Sequence, residues 1–180
     1  AAALVMLRRD WAIATALVAE FDHEIAITRK LLERTPAAAV SWKPHPKSMS
    51  LGQLACHLAE LPAWGGPMLQ LPELDIAPVG GPAYTSPTFE SVEALLALFD
   101  KNAAEARPIL AGMSDEDFQL PWTMLMGGEK VFTLPRIAVV RTWVMNHLVH
   151  HRGQFSVYLR LQDVLLPGIY GPSADDPGSM

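Results

Sequence analysis

The sequence predicts an all-α chain: a four-helix bundle with one long connection between its second and third helices and a small hairpin before the fourth. Three observations carry that prediction. Apolar residues recur at three- and four-residue steps over four separate stretches, the signature of helices with one buried face. Proline and glycine cluster between those stretches rather than within them. Half of the 180 residues are hydrophobic and only 18% are charged, enough apolar material for one packed domain spanning residues 1–180.

The first stretch runs from about Leu4 to Arg34, with Leu7, Trp11, Ala14, Val18, Phe21, Ile25, Thr28 and Leu32 on one face. Thr35-Pro36 ends it, because the residue before a proline is pushed out of the helical region. His23 lies well around the wheel from Phe21 and should face solvent, and His45, between two prolines in the Ser41–Lys47 loop, should do the same. Ser50-Leu51-Gly52-Gln53 has the spacing of a capping box and opens a second helix carrying Leu51, Leu54, Ala55, Leu58 and Leu61. Pro62 and Gly65-Gly66-Pro67 kink or finish it.

Leu71 to Pro87, with Pro72, Pro78, Gly80, Gly81 and Pro82, reads as a long irregular crossover. Thr88 to Leu110 is a third helix with Phe89, Val92, Leu95, Leu96, Phe99 and Ala103 inward, Pro108 in its last turn and Gly112 at its end. Ser114-Asp115-Glu116-Asp117 starts a short acidic turn. Trp122–Met126 and Lys130–Leu134 flank Gly127-Gly128-Glu129 as a hairpin, after which Thr133 is placed to cap the fourth helix. That helix, about Pro135 to Leu161, is long enough for roughly seven turns of ~3.6 residues. Beyond Leu166 the chain breaks, and Ser173–Met180 should fray.

Composition excludes several functions. A net charge of −5 with no basic run argues against binding nucleic acid, which needs clustered Lys and Arg. No apolar stretch is long enough for a membrane span, and Arg8 and Arg9 follow the apolar start rather than precede it, unlike a signal peptide. The single cysteine, Cys56, allows no intramolecular disulfide and fits a reducing cytoplasm.

The chemistry concentrates in Asn146–Gln154. His147 and His151 are four apart on the apolar side of helix four, so their rings project from one face a turn apart. Unpartnered imidazoles in a core each cost about 1–3 kcal/mol, and a shared metal ion satisfies both. No glutamate follows His147, so the base of the helix-borne zinc protease motif is missing. His57, beside the apolar stripe of helix two, is the candidate third ligand. Three neutral imidazoles suit zinc, nickel or iron and leave coordination positions open, as catalytic sites do. The competing reading is three hydrogen-bonded core histidines.

His147-x-x-x-His151-Arg152-Gly153-Gln154, together with Leu54-Ala55-Cys56-His57-Leu58 on helix two, resembles the DinB-like superfamily of DNA-damage-inducible and thiol-dependent proteins. The Trp42-Lys43-Pro44 loop, the Ser114-Asp115-Glu116 turn and the closing Pro167–Asp175 stretch extend the resemblance over nearly the whole chain. It implies up-down-down-up helix connections, a divalent metal on His57, His147 and His151, and a homodimer. His150 should flank the site or a dimer face, and Arg152 and Gln154 should make helix-end or interhelical contacts. Cys56 should be a buried thiol rather than a fourth ligand, while Glu24 and Thr28 are placed to reach the ligands' outer shell. The implied activity is metal-dependent transfer or isomerisation using a low-molecular-weight thiol and a small electrophile. The alternatives are a non-catalytic metal- or ligand-binding bundle and, weakest, a DNA-binding protein.

Overall fold

A computed structural model describes residues 12–82 and 84–178. Its first helix, α1, spans Ala12–Leu32; the expected beginning at Leu4, with Leu7 and Trp11, lies outside the described residues. The inward line of α1 is Ala14, Leu17, Phe21, Glu24, Thr28 and Leu31, at alternating three- and four-residue steps. Val18 and Ile25 are only partly buried. The face is therefore turned from the expected one, because α1 packs against both the third and the last long helix. His23 and His45 are exposed, as expected.

Helix α2 (Leu51–Glu60) opens on the capping box: Gln53 N–H donates to Ser50 Oγ at 3.1 Å and Ser50 N–H to Gln53 Oε1 at 2.8 Å. Gly52 faces Val40, and a Cβ there would lie 3.0 Å from Val40 Cβ and 3.1 Å from its carbonyl oxygen, so a side chain at this position would push the preceding loop off the helix by a few tenths of an ångström. Pro62 ends α2 by starting a 3-10 turn, Leu61–Trp64, from which the short α3 (Gly65–Gln70) continues.

The crossover is less irregular than its composition suggests. Glu73–Asp75 forms β1, parallel to β2 (Pro121–Met126), which pairs in turn with the antiparallel β3 (Glu129–Pro135). The protein is mostly helical with a three-stranded sheet, so the all-α expectation needs this correction. Gly127 and Gly128, at φ of 62° and 82°, make the two-residue hairpin turn. Their N–H groups donate to the Asp75 carboxylate, which ties β1 to the hairpin. That tie joins residues some fifty positions apart, so no local pattern announces the strand.

Helix α4 (Val92–Ala111) begins on Ser91, whose Oγ accepts from Ala94 N–H at 3.1 Å; Phe89 precedes it but still packs on the core. The acidic turn is α5 (Asp115–Gln119), with a second capping box between Ser114 and Asp117. Thr133 caps no helix: it lies in β3, its hydroxyl 2.8 Å from that of Thr123. Pro135 stands at the start of the last helical stretch instead, which comprises α6 (Arg136–Val140), a single π turn (Arg141–Met145) and α7 (Asn146–Arg160). The tail is tied rather than frayed as far as Asp176; residues 179 and 180 lie outside the described residues. Ser173 Oγ donates to Leu166 O and accepts from Asp175 N–H and Asp176 N–H, and Asp175 accepts from Leu166 N–H and pairs with Arg160.

Two apolar clusters fill the interior. One gathers the first half of α1, α3, the end of α4, Phe118, Trp122 and the α6–π stretch; the other gathers the end of α1, α2, the start of α4 and α7. α2 packs on α7 and on α4, and α1 on α4 and α7, which brings a face of α2 against a face of α7. No helix among the described residues is long and apolar enough to cross a membrane.

Candidate metal centre

His57 projects from α2, and His147 and His151 project one turn apart from α7. A nitrogen of each lies within 4.8 Å of the others. His147 Nε2 stands 2.8 Å from His151 Nε2 and 3.4 Å from His57 Nε2. All three rings are half-buried.

The far side of each ring explains why the Nε2 atoms face inward. His57 Nδ1 donates to Glu60 Oε1 at 2.7 Å, His151 Nδ1 to Gln154 Oε1 at 2.7 Å, and His147 Nδ1 to the Trp143 carbonyl at 3.3 Å. Carboxylate and carbonyl oxygens only accept, so each Nδ1 carries a proton, and in the neutral ring each Nε2 then presents a lone pair. Three lone pairs at these separations repel one another unless a cation lies among them. Imidazoles bound to one tetrahedral zinc at ~2.0–2.1 Å would have their nitrogens about 3.3 Å apart, close to the spacing seen here. The donor set thus fits a divalent metal.

Electrostatics favours the neutral imidazoles that a metal requires. Burial, with His57 beside it, holds His147 below the ordinary histidine value. Burial pushes His151 down to about 4, against the opposing effect of Gln154. Glu60 is itself 6% exposed, and its second oxygen accepts from the Tyr84 hydroxyl, which arrives from the end of the crossover. Burial first, then the Glu60 bond, pushes the Tyr84 phenol up to about 12, so it remains a donor.

Trp64, from the 3-10 turn after α2, sets its ring edge-to-face against His57 and His147, with centroids 5.6 and 5.3 Å away. Trp143 stands 6.4 Å from His147 and stacks on Phe132 of β3, so an aromatic wall runs from the hairpin to the histidines. The π turn that contains Trp143 directly precedes α7 and supplies the carbonyl that fixes His147. π turns inside α-helices often occur at functional sites.

The structure brings together the three histidines singled out in the sequence and leaves their neighbours apart. His150 is exposed on the flank, its ring 4.9 Å from that of His151. Cys56 faces away, into a cavity of about 450 Å³ between α2, α4 and Thr85–Glu90. Burial, then the nearby Glu60, pushes its thiol up to about 11, so it is an unreactive thiol. Glu24 turns to Arg152 and to Tyr170 of the tail, and Thr28 donates to the Glu24 carbonyl at 2.7 Å. Arg152 makes the expected interhelical contact, whereas Gln154 bonds within its own helix to His151.

Glu60, Tyr84, Trp64 and Tyr170 did not stand out in the sequence. A signal for Glu60 was present: His57-Leu58-Ala59-Glu60 and His151-Arg152-Gly153-Gln154 share one spacing, a histidine followed three residues later by a side-chain acceptor. On a helix that spacing sets acceptor beside ring.

A sequence model of the DinB superfamily matches residues 20–155, most of the chain, and the protein belongs to that superfamily. No curated protein matches it. Among solved structures it is similar to a DinB-like protein of Bacillus subtilis at a TM-score of 0.64 and 19% identity, covering 86% of this chain and 96% of that one. A DinB-like protein of Bacillus cereus ATCC 10987 is similar at 0.64 and 22% identity, covering 87% and 97%. At such identities the likeness establishes the fold.

Proposed function

We propose that this chain is a divalent-metal protein of the DinB superfamily, and that its three-histidine centre serves transfer or isomerisation with a low-molecular-weight thiol. The carrying observation is the set of three inward Nε2 lone pairs, each fixed by an acceptor behind its Nδ1. A zinc, nickel or iron ion held by His57, His147 and His151 would supply Lewis acidity, the chemistry that makes a thiol a nucleophile near neutral pH. The protein's own residues do the rest. Glu60, Gln154 and the Trp143 carbonyl hold the rings, and Trp64 and Trp143 wall them in apolar surface on which a small electrophile can rest. Three protein ligands leave room for an exogenous one.

The wider reading places the four long helices as a single-domain up-down-down-up bundle, working as a homodimer in the cytoplasm without nucleic acid. A second reading, in which an ion merely staples α2 to α7, is favoured by one observation: none of the three histidines lines the 450 Å³ cavity.

Elemental analysis of the purified protein beside His57→Ala and His151→Ala tests the centre. Near-stoichiometric metal in the parent and none in either variant is the expected result; a parent that cannot be loaded sinks it. Incubating the loaded protein with cellular thiols and small electrophiles then separates the two readings. Thiol consumption supports transfer. A chelator-sensitive melting temperature with no thiol consumed or bound supports the staple.

A further inference from the structure

Glu60 is a buried carboxylate with two demands on it. Oε1 accepts from the Nδ1–H of His57, and Oε2 accepts from the Tyr84 hydroxyl. The two partners come from different parts of the chain: His57 lies one turn before Glu60 on α2, and Tyr84 lies in the crossover, twenty-four positions further on. We propose that Tyr84 is a positioning residue of the metal centre, its phenol holding Glu60 in the rotamer that fixes the His57 ring. The inference rests on the reading of the three histidines as ligands.

The physical argument concerns what Glu60 does without the phenol. A buried carboxylate oxygen with no donor costs about 1–3 kcal/mol or more, so the side chain turns toward water to recover a partner. It then leaves Nδ1 of His57, and the imidazole is free to move its proton to Nε2 or to flip. In either case the lone pair no longer points at His147 and His151. His147 and His151 have acceptors on their own helix stretch and are insulated from this loss. His57 alone depends on a contact made by the crossover. Binding is reciprocal: whatever Tyr84 contributes to the ion, the ion contributes to docking Tyr84.

Tyr84 is 60% exposed, so Tyr84→Phe removes the hydroxyl without opening the core. The test has two readouts. Heteronuclear NMR of histidine-labelled, metal-free protein reports the imidazole tautomers. Zn²⁺ competition against a chromophoric chelator reports affinity. The parent should show His57 fixed with its proton on Nδ1. Tyr84→Phe should show exchange between tautomers at His57 only, and a Zn²⁺ affinity lower by about tenfold, the low end for losing an outer-shell partner. An unchanged His57 tautomer in the variant, or a variant affinity equal to that of a metal-binding parent, overturns the proposal. If the parent binds no metal but the variant loses the tautomer, the positioning role stands and the metal reading falls.

Discussion

Two polar clusters meet the same helix one residue apart and are built on opposite principles. His151 of α7 points to a group of three bases with no counter-charge among them. Arg152, the next residue, points into the core, 1% exposed, where it pairs with Glu24 of α1 and donates to Tyr170 of the tail. Tyr170 also donates to Glu24 at 2.8 Å, and the guanidinium lies 4.9 Å from its ring centroid. The arginine cluster is complete: plus and minus cancel, and its partners are all protein. The histidine cluster is complete only behind its rings, while in front three lone pairs converge. A self-neutral buried pair ties elements together, whereas a converging set of lone pairs asks for a cation.

The largest expected effect comes from unbalancing the complete cluster. Arg152→Met leaves Glu24 buried without its cation and should destabilise the fold by about 3–5 kcal/mol in denaturant melts, with or without metal. Arg152→Met combined with Glu24→Gln should recover much of that loss. A single variant that melts like the parent would mean the pair does not tie α1 to α7.

A smaller effect belongs to the open cluster. Gln154→Leu removes the acceptor behind His151 on an exposed position. Metal affinity should fall by about 10–100-fold while the metal-free protein melts nearly as before. Equal losses of metal-free stability in Gln154→Leu and Arg152→Met would erase the contrast between the clusters.

A further effect is the pH dependence of the metal-free protein. His151 is held at about 4 when folded and titrates near its ordinary value of 6.5 when unfolded. Between those values the unfolded chain binds more protons, so stability rises with pH. The contribution is complete above about 6.5 and lost as pH falls toward 4. His151→Gln should flatten that part of the profile; an unaltered slope would show that the ring is not desolvated.

Much of this was legible because it is local. The capping box at Ser50, the acidic turn opened at Ser114, the Gly127-Gly128 turn and the i, i+4 histidine pair each occupy a few consecutive residues. The inward face of α1 departs from its apolar pattern because Glu24 sits in the buried line, and a glutamate there makes sense only with Arg152 opposing it. Strand β1 is illegible in the sequence because three residues among prolines carry no periodicity of their own. Thr133 resembled a helix cap because a hydroxyl before Pro135 has that form, yet the strand claimed it through Thr123. Gly153 lies mid-helix with open space around it, and nothing in the structure explains a glycine there.

By itself the sequence determined the mostly helical class, the start of α2 at its capping box and the pair of histidines on one face. These follow from backbone geometry and side-chain spacing, which act over a few residues. Only the tertiary structure decided that α2 sets His57 opposite that pair, and that Tyr84 reaches Glu60 behind it. It also decided that Arg152 belongs to Glu24 rather than to the site. Each of these joins residues 24 to 128 positions apart. Such contacts depend on how whole helix faces pack, because the order in which elements meet is set by the burial they share and not by the residues beside them in the chain.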